Sequence, residues 1–212
     1  MLDKIKAIKK LERAHTLLTD KDVIKIIKYY KKNYTQYPRH FIVFLIGIYT
    51  GMRSDEIRNI TVDDIKTGDS FYIYCKTRAR VIFIDSTLRK IILQYCGEQN
   101  IAGKYLYEST HKRKAPPEEQ KPLNRDAFYK DILLVGTETR VDKKTSEFAK
   151  CLPHNMRRFF IKKACDVISQ NAVKQIVGHK NNDVTDQYAR LTVAELHECT
   201  KKVVRTIRKA VE

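Results

Sequence analysis

The run FIVFLIGIYTG, from Phe41 to Gly51, limits the fold more than any other stretch of the 212-residue chain. It is apolar on every side, so as a helix it has no face for water and must be surrounded by other elements. It is too short to span a bilayer, and a glycine interrupts it. A buried central helix in a soluble globular protein is therefore expected. With 42% hydrophobic and 32% charged residues, the chain can hold one large or two small domains and bury a sizeable core. The opening MLDKIKAIKKLERAH spreads lysines through its length and has no long apolar centre, which argues against a signal peptide and for a cytoplasmic protein.

Other segments supply the surroundings that helix needs. Thr19 is placed to cap LTDKDVIKIIKYYKKN, whose apolar residues at 23, 24, 27 and 30 make an amphipathic helix with a basic outer face. A short helix is expected over RSDEIRNI. FYIYC and RVIFID are β-rich runs joined by a tight KTRA link, the pattern of a hairpin. Leu88, Ile91, Ile92 and Tyr95 mark a helix after a Ser86-Thr87 cap. HKRKAPPEEQK, 111–121, is a charged, proline-containing loop, and 138–150 is a second loop. A helix starts near Asn124. The remainder reads as helices: one from about Pro153, one ending at Gly178, a short one holding Tyr188 and a terminal one from about Val193. The fold class expected is α+β, mostly α-helical with a small antiparallel sheet.

Charge narrows the partner. The chain carries 42 Lys+Arg against 25 Asp+Glu, a net +17, which fits a polyanion: nucleic acid, or less well an anionic membrane surface. Its five cysteines, 75, 96, 151, 165 and 199, form no C-x-x-C pair and are odd in number, so neither a disulfide framework nor a zinc site is expected. No metal and no cofactor are anticipated.

Against that background, LPHNMRRFF puts His154 and Arg157 one helical turn apart, just after a proline suited to starting a helix. Taken alone, the pair is a helix-surface feature. Four more features accompany it. TGMRSDE places Arg53 and Glu56 at i, i+3 after the buried helix; CKTRAR places Lys76 at the hairpin link; VGHK places His179 after a helix-ending glycine; NNDVTDQYAR places Tyr188 nine residues beyond His179. In this order and at these spacings, over about residues 16 to 190, the set resembles the tyrosine recombinase (phage integrase) family, whose active site joins Arg, Lys, His/Arg, His and Tyr. The family commonly continues His-x-x-Arg with a second histidine and small residues. Arg158 and two phenylalanines stand here instead, a departure that concerns packing more than chemistry.

The resemblance implies a site-specific DNA recombinase that cuts and rejoins strands through a 3′-phosphotyrosyl intermediate. A tyrosine phenol, with its pKa near about 10, is a poor nucleophile until deprotonated. The attacked phosphodiester gains negative charge on its non-bridging oxygens, which guanidinium forks match. Arg53 and Arg157 are the candidates for that clamp, with His179 as a further donor. Lys76 would protonate the leaving 5′-oxygen, His154 would assist deprotonation of Tyr188, and Glu56 would orient Arg53 or His154. Arg78 and Arg80, on the same hairpin as Lys76, are candidates for phosphate contacts. Tyr72, Tyr74 and Tyr129 are poorer candidates for the nucleophile.

The expected organisation is an N-terminal basic segment (1–15), a catalytic domain (16–190) and a C-terminal helix (191–212), without the N-terminal DNA-clamping domain of many members. The apolar residues Leu196, Val203, Val204 and Ile207 suit either the chain's own core or a neighbouring subunit, and the resemblance favours the neighbour, with this helix as a subunit-exchange element of a tetramer. Double-stranded DNA is the partner expected, with a homotetramer on two duplexes. Two other readings stay open: a type IB topoisomerase-like enzyme, and a non-enzymatic regulator in which QNAVKQIVGHKNNDVTDQYAR forms helix, turn and recognition helix.

Overall fold

The computed structural model describes residues 17–75, 78–101, 103–107, 116, 119–143, 149–179 and 190–212. The chain enters at helix α1, Asp20–Asn33, where Thr19 and Asp22 form a reciprocal cap. The Thr19 hydroxyl accepts from the Asp22 amide at 3.2 Å, and the Asp22 carboxylate accepts from the Thr19 amide at 3.0 Å. Val23, Ile26, Ile27 and Tyr30 make its buried face.

Helix α2, Pro38–Thr50, is the axis of the molecule. Pro38 sits in its first turn, and every residue from His40 to Thr50 is buried. It ends at Gly51, whose φ of 62° is the left-handed conformation that favours glycine. Two short helices follow, α3, Ser54–Arg58, and α4, Val62–Thr67. The second has no counterpart in the sequence expectations. TVDDIKT is too short to show periodicity, but Thr61 and Asp64 cap it reciprocally at 3.1 and 2.8 Å.

Strands β1, Ser70–Cys75, and β2, Arg78–Phe83, form the two-stranded antiparallel hairpin. Its register pairs Phe71 with Ile82 and Ile73 with Arg80 on one face, and Tyr72 with Val81 and Tyr74 with Ala79 on the other. Phe71 and Ile82 are buried, while Tyr72 and Tyr74 are exposed. Arg80 therefore points to the core side of the hairpin.

Helix α5, Ser86–Glu98, is capped by Asp85, whose carboxylate accepts from the Leu88 amide at 2.8 Å; the cap is one residue earlier than the Ser86-Thr87 expected. Helix α6, Arg125–Glu138, starts from Asn124 as anticipated. Then come α7, Pro153–Cys165, α8, Gln170–Val177, and α9, Val193–Val211. Helices α5, α6 and α7 pack on α2, and α9 lies on α1, α7, α8 and β2. Val203, Val204, Ile207 and Val211 of α9 are buried in this chain's own core. Arg208 fixes that helix: it holds both oxygens of Asp85, the nearest at 2.8 Å, and lies 4.8 Å from the Tyr49 ring centre. Among the described residues, no helix is long and apolar enough to cross a membrane. Cys96, Cys151, Cys165 and Cys199 are free thiols.

Candidate active site

The site forms at the last turn of α8. This helix starts from the cap of Ser169 and ends at Gly178, with φ 65°. The carbonyls at a helix's end lack partners within the helix and carry the negative pole of its dipole. Three of them each accept from a different arginine. Arg80 Nη1 donates to Ile176, Arg157 Nη2 donates to Val177 at 2.6 Å, and Arg53 Nη2 donates to Gly178 at 2.9 Å. A Cβ on Gly178 would stand 2.9 Å from Arg80 Cδ and 3.8 Å from Arg53 Nη1, so the glycine also leaves the guanidiniums their room.

Each arginine arrives on a different element. Arg157, on the second turn of α7, is only 4% exposed, and its Nη1 donates to the carbonyl of Gly51 at 2.6 Å. Hence α7, the end of α2 and the end of α8 meet on one guanidinium. The Phe-Phe that departs from the family pattern belongs to this junction. A Cβ on Gly51 would lie 2.5 Å from Cδ1 of Phe160, so that ring occupies the space the glycine leaves.

Arg53 stands at the start of α3 with its side chain 42% exposed. Its backbone amide donates to Oε2 of Glu56 at 2.6 Å and its Nη1 donates to Oε1 at 2.9 Å. Glu56, 4% exposed, accepts from Arg80 as well, from Nε at 3.2 Å and from Nη2 at 2.5 Å. One buried carboxylate thus braces two guanidiniums, and with Arg157 on the neighbouring carbonyl the end of α8 gathers three arginines to one glutamate.

His179 follows Gly178, with its amide donating to the carbonyl of Lys174 at 3.0 Å and its ring exposed. Partial burial, then the charges of Arg157, Arg53, Arg80 and Lys174, hold this imidazole below its ordinary pKa. His154, exposed on the first turn of α7, is lowered by partial burial, then by Arg158 and Arg157. Both rings are accordingly neutral at pH 7, able to donate one hydrogen bond or accept a proton.

The structure thus brings Arg53, Glu56, Arg157 and His179 to the end of α8 and puts His154 on the same helix as Arg157. Arg80, anticipated at phosphate, has an 8% exposed side chain turned inward to Glu56 and α8. Sequence reasoning missed that brace, although the alternation of exposed Tyr72 and Tyr74 with buried Phe71 carries its signal once the hairpin register is known. Lys76, Tyr188 and the side chain of Arg78 lie outside the described residues, as does the second helix of the helix-turn-helix reading. Leu191, three residues beyond Tyr188 in sequence, donates its amide to the Gln175 side chain of α8 at 3.0 Å. Among the described residues, no group of three or more His, Cys, Asp or Glu side chains is arranged to hold a metal ion.

Several solved structures are similar in fold. XerA recombinase aligns with a TM-score of 0.60 at 18% identity, covering 88% of this chain and 62% of its own. XerH site-specific recombinase bound to difH substrate, in a pre-cleavage complex, aligns with a TM-score of 0.56 at 15% identity, over 85% of this chain and 51% of its own. The integrase of the Tn1549 transposon with circular intermediate DNA gives 0.57 at 15% identity, over 87% and 64%. The chain therefore spans about half to three-fifths of the length of the first two of these relatives. No curated protein matches it in sequence. Residues 16–195, most of the chain, match the family described as the Phage integrase family, and the chain belongs to that family.

Proposed function

We propose that the protein is a site-specific DNA recombinase of the tyrosine type, acting on double-stranded DNA. The observation that carries this reading is the gathering of Arg53, Arg157 and His179 at the end of α8, in a chain of this family. The XerH and Tn1549 relatives, whose structures contain DNA, support DNA as the partner.

In the proposed reaction the Tyr188 oxygen attacks a backbone phosphorus, its proton passing to His154, which burial and neighbouring arginines keep neutral. Arg53, with its side chain partly open to solvent, and Arg157, fixed by two main-chain carbonyls, face the non-bridging oxygens as charge grows on them. His179 donates its single N–H to the same oxygens. The bond from phosphorus to the 5′-oxygen breaks, and Lys76 gives that oxygen its proton. The strand is left joined to Tyr188 at its 3′ end. Attack by another 5′-hydroxyl reverses the chemistry without ATP. Strand exchange between two duplexes on a homotetramer completes the proposal.

The test uses nicked duplexes tiled from the DNA flanking the protein's own gene, which trap the intermediate by losing the short 5′ fragment. A denaturation-resistant adduct with the wild type, absent from Tyr188→Phe at unchanged binding, is expected. No adduct on any duplex, or an adduct that persists in Tyr188→Phe, overturns the reading.

A further inference from the structure

Arg80 is a buried cation that none of the proposed chemical steps uses. Its side chain is 8% exposed, and three of its N–H groups are committed to protein: two to Glu56 and one to the carbonyl of Ile176. It lies on the core face of β2, opposite Ile73. Its partners belong to the two segments that carry the site. Glu56 holds the backbone and the guanidinium of Arg53, and Ile176 lies three residues before His179.

Removing one partner of a buried ion pair leaves the other charge uncompensated, so the contact is a structural commitment. Its charge is met by the Glu56 carboxylate at 2.5 Å, so this guanidinium is balanced within the protein before any phosphate arrives. From this geometry we infer that Arg80 is a positioning residue: it locks the hairpin, Arg53 and the Gly178–His179 corner into one rigid unit, and it does not bind DNA. The inference rests on the recombinase reading for its effect on rate, while its geometric half stands without it.

Because Arg80 lies four residues after Lys76, the strand that it anchors is the one entered directly from the hairpin link. Lysine at position 80 keeps the charge but lacks the fork that spans two carboxylate oxygens and a carbonyl together. The lock then fails through loss of shape, with charge retained.

The experiment compares wild type, Arg80→Lys and Arg80→Ala on a nicked duplex that the wild type cleaves. Single-turnover cleavage at saturating protein, corrected for the folded fraction from thermal melting, is set beside duplex affinity across a salt series. Amide hydrogen exchange at Gly178 and His179 is followed without DNA. Both variants should lose about 10²-fold in cleavage rate, the cost of a displacement near 1 Å, with affinity and salt slope unchanged. The Gly178 and His179 amides should exchange about tenfold faster, as a local opening, while those of Ile46 and Ile48 hold.

A salt slope smaller by about one would make Arg80 a phosphate ligand and overturn the inference. A rate that tracks only the folded fraction overturns it too, as does unchanged exchange at the corner. Should Arg80→Ala fail to fold, Arg80→Lys alone decides. If the wild type cuts no duplex, the recombinase reading falls separately, and hydrogen exchange decides whether Arg80 holds the corner.

Discussion

Arg157 and Val177 are joined by a 2.6 Å hydrogen bond from Nη2 to the main-chain carbonyl, at an arginine only 4% exposed. With the matching bond to Gly51, the cation is held by main chain on two sides before any ligand arrives. Such prior fixing is what electrostatic stabilisation of a transition state requires, because donors already aimed need no rearrangement as charge develops.

Arg53 and Arg157 should therefore respond differently to the same change. Arg53→Lys keeps a cation at a partly exposed position but removes the fork. It should slow cleavage by about 10²–10³-fold with little change in stability. Arg157→Lys should do the same and also lower the urea midpoint, since an ammonium does not span Gly51 and Val177 together and each buried carbonyl left unpaired costs about 1–3 kcal/mol. Equal stability of the two variants would contradict this assignment.

Gly51→Ala is expected to destabilise by two routes. A non-glycine residue at φ 62° costs about 1–2 kcal/mol. The added Cβ, 2.5 Å from Phe160, also forces the packed ring aside at about 1–3 kcal/mol more. Adding Phe160→Leu should recover part of the second cost but not the first. Chemical denaturation of the single and double variants separates them.

Stability should fall as pH drops below about 6.5, the imidazole value of an unfolded chain. His154 and His179 have folded values below it, so in the window between folded and unfolded values the unfolded chain binds more protons and gains on the native state. The urea midpoint measured from about pH 8 to about pH 5 should decline through this window, and less so in His154→Gln/His179→Gln. The same decline in the double variant would remove these two groups as its cause.

Lys76→Ala should slow cleavage of an ordinary phosphodiester by about 10²–10⁴-fold, the usual worth of general acid catalysis. A duplex carrying sulfur at the 5′-bridging position should restore the rate, because a thiolate departs unprotonated. Absence of rescue would leave Lys76 only a binding role.

Much of this was legible in the sequence because it is local. The apolar run of α2, the Thr19 cap and the glycine ending at 178 each follow from neighbouring residues. Helix α4 escaped because six residues are too few to display a period, and its cap alone betrays it. The carbonyl acceptors of Arg53, Arg80 and Arg157 were not readable. They are backbone atoms with no residue signature, brought into reach by contacts across as many as 125 positions. Arg80 is instructive in between. Which way it points is a matter of strand parity, and parity becomes known only when the pairing of Ile73 with Arg80 is fixed by the turn.

The acceptors at Ile176 and Val177 are peptide oxygens, and every amino acid brings one. Exchange of either side chain for another that fills its place leaves the three cations where they are, since the path of the chain is what they recognise. Only at Gly178, where a side chain would intrude on Arg80, does residue identity enter. The apolar face of this helix is free to drift in composition while the electrostatic layout stays constant.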